Sequence, residues 1–311
     1  MSKFLVTGGA GFIGSHIVEA LIKQKHYVRV LDNFSSGKIS NLKGLEKKID
    51  LIKGDICVPG VCLKATRGMD FVLHQAALRS VPKSMKDPHA YNRVNIDGTL
   101  NMLEAAKKNG IKRFVFASSS SVYGQINTFP EKESFVPEPI SPYALSKLAG
   151  EYYCRIFSLH FGLPTIALRY FNVFGPRQAL DDEYAVVIPK FINCLLNNQR
   201  PPIFGNGRQS RDFTFVQNVV EANLLAAKAH KINCGVFNVA GGKDTSIMDL
   251  VKILNKILGK HISPLLLPIR PGDVFRTLAD ISTSGKILKF KPVIDFVSGL
   301  RITVDYFEKN A

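Results

Sequence analysis

The chain has 311 residues, 46% of them hydrophobic, which suffices for one large domain or a domain with a smaller lobe. No apolar run reaches the roughly 18 residues of a membrane span, and the opening MSKFLVTGGAGFIG lacks a signal-peptide layout, so we expect a cytoplasmic protein without a membrane partner. The net charge of +16 is dispersed over short clusters, which favours anionic small molecules over nucleic acid as ligands.

Strand and helix patterns alternate through the first half of the chain. Apolar, β-branched runs predict strands at KFLVTG, YVRVLDN, DLIKGDI, FVLHQAA, RFVFASS and TIALRYFNV. Helical patterns such as SHIVEALIKQ and NIDGTLNMLEAAKKNG lie between them, and the second ends in a typical helix stop. The alternation predicts an α/β fold with a doubly wound parallel sheet of the Rossmann type, buried on both faces.

The pattern changes after about residue 175. Loop-rich stretches occur at FGPRQALDDEYAVV and NNQRPPIFGNGRQS, whereas FTFVQNVVEANLLAAKA and GVFNVAGG predict one more return to the sheet. The last part mixes a helix, SIMDLVKILNKILG, with short extended pieces. We therefore predict a dinucleotide-binding domain in residues 1–175 with 211–241. A smaller α/β substrate-binding lobe is predicted in residues 176–210 with 242–311.

A glycine turn connects the first predicted strand to the first helix. In TGGAGFIG, Gly8 permits the tight turn, Gly11 lets a pyrophosphate approach the backbone, and Gly14 lets the helix pack closely on the strand. The N-terminus of the helix then offers amides and a positive dipole to phosphates. This context predicts a dinucleotide site.

Two acidic residues follow the next two predicted strands. Asp32 can accept hydrogen bonds from a ribose diol, and this favours NAD over NADP, although the nearby Lys38 leaves NADP open. Asp55 can accept a hydrogen bond from an adenine amino group. A strand-end aspartate in a turn explains its position equally well.

The stretch SPYALSKLAGEYY places a tyrosine and a lysine four residues apart. Ser141 is a plausible N-cap, with Pro142 in the first turn, so Tyr143 and Lys147 share one helix face. At about 4 Å and an effective dielectric near 20, an ammonium stabilises a phenolate by roughly 4 kcal/mol, or about three pKa units. We expect this pair to turn the tyrosine into a general base.

The five cysteines are scattered, with no Cys-x-x-Cys pair and no histidine cluster beside them. In a cytoplasmic setting this pattern predicts free thiols rather than disulfides and no metal site. The residues are Cys57, Cys62, Cys154, Cys194 and Cys234.

The motifs TGGAGFIG, DNFSSG, HQAALRSVPKS, SSVYG, YALSK and RYFNVFGPRQ, taken in order, resemble those of the extended short-chain dehydrogenases/reductases. The resemblance covers nearly the whole chain and is strongest to the NAD-dependent UDP-glucose and UDP-N-acetylglucosamine 4-epimerases. It implies that Tyr143 takes the proton of the sugar C4 hydroxyl while the hydride passes to tightly bound NAD. Ser119 shares the hydrogen bond to O4. The 4-keto sugar then turns over, and the hydride returns to its other face.

The family pattern assigns the remaining site residues. It places cofactor contacts on Gly8, Gly11, Phe12, Ile13, Gly14, Asp32, Asn33, Gly37, Asp55, Ile56, Ala76, Arg79, Asn95, Ser118, Tyr143, Lys147 and Tyr170. It places contacts with the UDP-sugar on Ser119, Ser120, Tyr143, Asn172, Ile188, Phe204, Arg211, Arg270, Asp273 and Thr277. The two arginines can fork onto the diphosphate, because guanidinium donors match phosphate oxygens.

Other functions remain open. Related nucleotide-sugar 4,6-dehydratases and UDP-glucuronate decarboxylases carry acidic residues just before Val-Tyr-Gly, where this chain has Ser120 and Ser121. The lack of an added acid–base residue favours epimerisation. A non-catalytic NAD-binding regulator or an RNA-associated protein is a further alternative, against which the intact Ser119, Tyr143 and Lys147 argue.

Substrate choice and assembly also follow from the resemblance. The small Thr277 aligns with a position where a bulky tyrosine excludes N-acetyl sugars, so we expect UDP-N-acetylhexosamines to be accepted, with or without UDP-glucose and UDP-galactose. The helices NIDGTLNMLEAAKK and YALSKLAGEYYCRIFSLHF carry apolar stripes. In the family the corresponding pair forms a four-helix interface, which predicts a homodimer.

Overall fold

A computed structural model describes residues 1–179, 187–269 and 274–310. The strands in these ranges are β1 (Lys3–Thr7), β2 (Tyr27–Asp32), β3 (Asp50–Lys53), β4 (Phe71–His74), β5 (Arg113–Ser119), β6 (Thr165–Tyr170), β7 (Val173–Phe174), β8 (Pro202–Phe204), β9 (Ser210–Asp212), β10 (Thr214–Phe215), β11 (Cys234–Val239), β12 (Asp244–Ser246) and β13 (Leu265–Leu267). The helices are α1 (Phe12–Lys23), α2 (Pro59–Thr66), α3 (Val81–Lys86), α4 (Pro88–Tyr91), α5 (Gly98–Lys108), α6 (Pro142–Phe161), α7 (Val187–Leu196), α8 (Val216–Lys228), α9 (Ile247–Leu258), α10 (Ser282–Ile287) and α11 (Phe296–Lys309). None of the helices in these ranges has the length and apolarity to cross a bilayer.

Seven strands form one parallel sheet in the order β11-β6-β5-β4-β1-β2-β3. The order reverses between β1 and β4, so the connections leave in opposite directions there and open a crevice at the carboxyl edge of the strands. This topology confirms the predicted doubly wound α/β fold.

Helices cover both faces of the sheet. On one face α1 and α8 pack with residues such as Ile17 and Val219, which are fully buried. On the other face α2, α5 and α6 pack with residues such as Met102 and Phe157. Because neither face meets water, the strands read as continuous apolar runs rather than as an alternation.

A further hydrophobic core lies beside the sheet. It joins α7, α9 and α11 to the short strands β7 and β10, around the fully buried Phe174. The seven sheet strands lie inside the ranges predicted for the dinucleotide domain, and these three helices lie in the ranges predicted for the lobe. Phe213 and Phe215 fall in the ranges predicted for the dinucleotide domain, but they pack in this core beside the sheet.

One predicted strand is two strands. The run TIALRYFNV ends its sheet pairing at Tyr170, and Val173–Phe174 then pairs with β10 instead. The turn between them comes from Asn172, whose φ of 32° lies in the left-handed region. The expectation of a single strand was wrong because this turn depends on pairing with β10.

Candidate active site

A cavity of about 1610 Å³ runs along the carboxyl edge of the sheet. Its wall combines the glycine turn after β1, the ends of β2 to β6, the start of α6 and part of the segment after residue 273. Most of the predicted site residues line it: Gly8, Gly11, Phe12, Ile13, Gly14, Asp32, Asn33, Gly37, Asp55, Ile56, Ala76, Arg79, Ser118, Ser119, Ser120, Tyr143, Lys147, Tyr170, Asn172, Arg211 and Thr277.

The glycine turn has the geometry that a dinucleotide needs. Gly8 has a φ of 64°, and a Cβ there would meet the backbone nitrogen of Ala76 at 2.8 Å. A Cβ at Gly14 would collide with the carbonyl oxygen of Gly8. At Gly11, the residue before α1, an added Cβ meets only that same oxygen, at 3.1 Å, and within the described residues no side chain caps the helix. The start of α1 is therefore open to a phosphate.

Asp32 shapes the loop after β2. Its two carboxylate oxygens accept the backbone N–H groups of Ala10, at 2.9 Å, and Phe34, at 2.8 Å. The side chain is nearly buried, yet it lines the cavity next to Gly37. Each oxygen keeps a lone pair that a ribose hydroxyl can use.

Asp55 lies at the neighbouring strand end. It accepts the backbone N–H of Cys57, at 2.8 Å, and the side-chain amide of Asn33, at 3.1 Å. The Cys57 N–H holds the pKa of this carboxyl below its usual range, so Asp55 is an ionised acceptor at neutral pH.

The predicted catalytic tyrosine stands at the start of α6. Ser141 caps this helix through a hydrogen bond from the Ala144 N–H, at 3.1 Å, and Pro142 occupies the first turn. Tyr143 lies beside Ser119, the last residue of β5, and the Ser119 hydroxyl acts to lower the pKa of the phenol. The structure therefore brings together a phenol and a hydroxyl that the sequence separates by 24 residues.

Lys147 hydrogen-bonds to β5 beside Tyr143. Its Nζ donates to the Ala117 carbonyl oxygen at 2.8 Å and lies 6.0 Å from the centroid of the tyrosine ring. Burial raises the pKa of Tyr143 above its usual value, and burial lowers the pKa of Lys147 to about 8. Burial therefore acts against the predicted depression of the tyrosine pKa by lysine, and Lys147 retains two ammonium protons for a ligand.

A buried ion pair anchors α6 to the sheet. Glu151, one turn beyond Lys147, binds Arg169 of β6 through two hydrogen bonds of 2.9 and 2.7 Å. Ser118 donates its hydroxyl proton to the same carboxylate. Ser118 therefore lines the cavity with its hydroxyl already engaged, although we had expected it to contact the cofactor.

Tyr170 belongs to a closed set of hydrogen bonds. Its hydroxyl donates to Gln75 at 3.2 Å and accepts from Asn223 at 2.8 Å, while the Gln75 amide donates to Asn223 at 3.1 Å. These bonds and burial hold Tyr170 rigidly at the cavity wall. Gln75 was not predicted, although it lies in the quoted motif HQAALRSVPKS.

The predicted specificity residue is tied to a predicted substrate contact. The Thr277 hydroxyl accepts the side-chain amide of Asn172 at 2.9 Å and the backbone N–H of Asp212 at 3.2 Å. The same Asn172 amide nitrogen donates to the Asp212 carbonyl at 3.1 Å. Of the Asn172 side-chain amide, only the oxygen is thus left for a ligand. The hydrogen bond to Thr277 fixes the direction of that oxygen.

Glu131 is a cavity residue that the sequence analysis missed. It is 3% exposed and pairs through its backbone with Leu278 and Asp280. Burial, together with the neighbouring Asp212, raises the pKa of its carboxyl to about 8, so the group is protonated at neutral pH. No motif marks it, because its place in the wall depends on pairing with a segment about 150 positions away.

Five predicted contacts need separate mention. Asn95 is buried behind the wall, where its amide binds both backbone groups of Leu78 and the Ser146 hydroxyl. Ile188 is fully buried in the core beside the sheet, and Phe204 lies on β8. Neither residue lines the cavity formed by the described residues. Arg270 and Asp273 fall outside the described residues.

Known proteins resemble this chain over its whole length. A putative UDP-glucose 4-epimerase of Methanocaldococcus jannaschii is 38% identical, with 98% of each chain covered. The solved structure of a UDP-N-acetylglucosamine 4-epimerase from Methanobrevibacter ruminantium M1, in complex with UDP-N-acetylmuramic acid, is 45% identical, with a TM-score of 0.96 and 100% of this chain and 99% of that chain covered. A UDP-glucuronic acid 4-epimerase from Bacillus cereus, bound to UDP-glucuronic acid and NAD, is 34% identical, with a TM-score of 0.92 and 99% and 100% covered.

The family model described as the NAD dependent epimerase/dehydratase family matches residues 4–240. This span contains the glycine turn, the serine-rich end of β5 and the Tyr143–Lys147 helix. The geometry of the turn at Gly8 and Gly11 fits the cofactor that the family uses. The chain belongs to the NAD-dependent epimerase/dehydratase family.

Proposed function

We propose that the chain interconverts UDP-hexoses at C4, acting on UDP-N-acetylglucosamine and UDP-N-acetylgalactosamine, on UDP-glucose and UDP-galactose, or on both pairs. The observation that carries this proposal is the placement of Ser119 beside Tyr143 in a cavity that also holds a dinucleotide turn. The likeness to 4-epimerases over the whole chain supports it.

The residues of the chain divide the work as follows. Tyr143 removes the proton of the sugar C4 hydroxyl and later returns one, and Ser119 hydrogen-bonds O4 throughout. Lys147 holds the cofactor ribose with its remaining ammonium protons. NAD supplies the reversible hydride acceptor when it is bound. Substrate and product would differ only in configuration at C4, so the reaction would have no net oxidation.

Arg211 supports a diphosphate substrate. Its guanidinium lines the cavity while one nitrogen, Nη1, donates to the carbonyl oxygens of Ser210, at 2.9 Å, and Phe275, at 3.2 Å. These bonds fix the planar group near the cavity, where its charge favours a phosphate. Arg270 and Asp273 stay predictions for the UDP part.

We also propose that two copies associate through α5 and α6. Four of the five exposed large apolar side chains of α6 have a spacing of 7, 4 and 3 residues, which puts them on one face. They are Leu145, Tyr152, Ile156 and Leu159. A soluble monomer rarely exposes such a stripe, so a second copy is the occupant we propose.

A 4,6-dehydratase is the second candidate. Water loss from a sugar needs an additional acid or base, and the protonated Glu131 in the cavity wall is one such group. The two positions before Val122 are serines, Ser120 and Ser121, rather than acidic residues, and this supports epimerisation. The two reactions differ in their products, since a dehydratase releases a 4-keto-6-deoxy sugar.

Incubation with UDP-glucose and with UDP-N-acetylglucosamine separately tests the proposal, with all sugar products quantified. We expect the C4 epimer of at least one substrate. Tyr143→Phe should lower turnover at least about 100-fold, the usual contribution of a general acid–base group, while NAD stays bound. Tyr152→Phe on the same helix is the matched control and should keep full turnover. A 4-keto-6-deoxy product, or RNA binding without any sugar turnover, would contradict the proposal.

A further inference from the structure

Four consecutive serines, Ser118 to Ser121, span the end of β5 and the start of the next turn, and the structure gives them different partners. Ser119 Oγ accepts two hydrogen bonds from one residue: the backbone N–H of Ser121 at 3.2 Å and the Ser121 hydroxyl at 2.9 Å. The bonds arise because the chain turns at once into a short 3₁₀ helix, Ser120–Tyr123, for which Ser119 is the N-cap.

The double acceptance leaves Ser119 one way to act. A hydroxyl has one proton and two acceptor lone pairs. Both lone pairs of Ser119 face Ser121, so its one proton is the part that remains, for Tyr143 in the chain without substrate and for the sugar O4 when a substrate is bound. A donor that itself accepts a hydrogen bond is a stronger donor, because chains of hydrogen bonds polarise one another.

We propose that Ser121 is a positioning residue, which holds and polarises Ser119 so that the Ser119 hydroxyl proton points at the Tyr143 phenol. The relay runs from the Ser121 hydroxyl to the Ser119 hydroxyl and on to the Tyr143 oxygen. No proton needs to leave Ser121, because the residue acts only through its hydrogen bond. The role in turnover rests on the proposed function, whereas the hydrogen-bond relay does not.

The neighbouring serines do not fill this role. Ser118 points to the other side of the strand end, where it donates to Glu151. Ser120 lines the cavity, and its hydroxyl makes no hydrogen bond to any of the described residues. Ser121 alone of the three is bonded to Ser119 within the part of the chain that the structure describes.

Titration of the Tyr143 phenol tests the relay without any substrate. The tyrosinate absorbance of the chain is followed against pH, and the matching Tyr143→Phe variant is subtracted to isolate this residue. We expect Ser121→Ala to raise the pKa of Tyr143 by about half to one unit, the effect of weakening one hydrogen bond. Ser121→Thr keeps the hydroxyl and should restore the original pKa. An unchanged Tyr143 pKa in Ser121→Ala would overturn the proposal.

Turnover gives a second readout. Ser121→Ala should lower kcat about three- to tenfold at neutral pH, shift the acidic limb of the kcat profile to higher pH, and leave KM within about twofold. Ser134→Ala changes an exposed serine outside the cavity and is the matched control. If Ser121→Ala fails to fold, Ser121→Cys carries the same expectation, because a thiol keeps the volume but donates weakly. A titration shift without sugar turnover would contradict the proposed function and leave the relay intact.

Discussion

The Thr277 side chain has two roles in the cavity, one through its size and one through its hydroxyl. Thr277 was expected to admit N-acetyl sugars because it is small, yet its hydroxyl also anchors the Asn172 amide at 2.9 Å. A large residue there would fill the pocket and also release Asn172. A single bulky substitution therefore cannot separate the two effects.

Two substitutions at Thr277 separate size from anchoring. We expect Thr277→Tyr to lower the ratio of kcat/KM for UDP-N-acetylglucosamine to that for UDP-glucose at least about tenfold, since one misfitting group costs about 1–3 kcal/mol. Thr277→Val keeps the size but removes the acceptor, so turnover of both sugars should fall while that ratio stays. Survival of N-acetyl activity in Thr277→Tyr would show that the assignment is wrong.

At the scale of the element, α6 does more than present Tyr143. One face carries Tyr143, Lys147 and Glu151 at four-residue intervals, toward the cavity and the buried Arg169. A different face carries the exposed apolar stripe proposed to meet a second copy. A single helix therefore connects the proposed catalytic pair, Tyr143 and Lys147, to the proposed interface.

Charges on the stripe test that interface. We expect Tyr152→Glu combined with Ile156→Glu to convert a dimer into a monomer, because two carboxylates would be desolvated in each half of the interface. Sedimentation velocity measures the change in mass. Val136→Glu, which alters an exposed apolar residue outside α6, should leave the dimer intact. A wild-type chain that sediments as a monomer would contradict the proposal directly.

For the whole molecule, two residues with buried carboxyls contact the segment that carries Thr277. Glu131 pairs through its backbone with Leu278 and Asp280, and Asp212 accepts the N–H groups of Gly241, Gly242 and Ala279. Burial raises the pKa of Glu131 to about 8 and that of Asp212 to about 7. The segment that carries Thr277 is therefore contacted by two residues, Glu131 and Asp212, whose carboxyl groups titrate near neutrality.

This arrangement predicts a loss of stability as the pH rises from about 4.5 to about 8. The folded chain holds a proton on Glu131 up to about pH 8, whereas a glutamate in the unfolded chain loses it near its model value of 4.5. Because the folded state binds more protons between these values, the free energy of unfolding falls as the pH rises through them. Glu131→Gln mimics the protonated form and should remove about 1–3 kcal/mol of the loss between pH 6 and pH 9, as measured by urea unfolding. An equal loss in the variant and the wild type would refute the assignment.

The sequence by itself determined the features that depend on local order. The sequence predicts the strand runs that are buried on both faces, because these depend on nearest neighbours. It also predicts the glycine turn at Gly8, Gly11 and Gly14. The cap of α6 and the four-residue interval between Tyr143 and Lys147 follow from one helical turn. The ordered motifs extended this to the family, the cofactor and most of the cavity lining.

Only the tertiary structure decided how these pieces meet. It placed the Lys147 ammonium on the Ala117 carbonyl, brought Glu131 into the wall, and joined Asn172 to Thr277 across 105 residues. It also showed that Ser121 is hydrogen-bonded to Ser119. Adjacent serines are alike in sequence, and they differ only in the direction that each side chain takes after the strand ends. Such contacts depend on the docking of distant segments, and no local pattern records that docking.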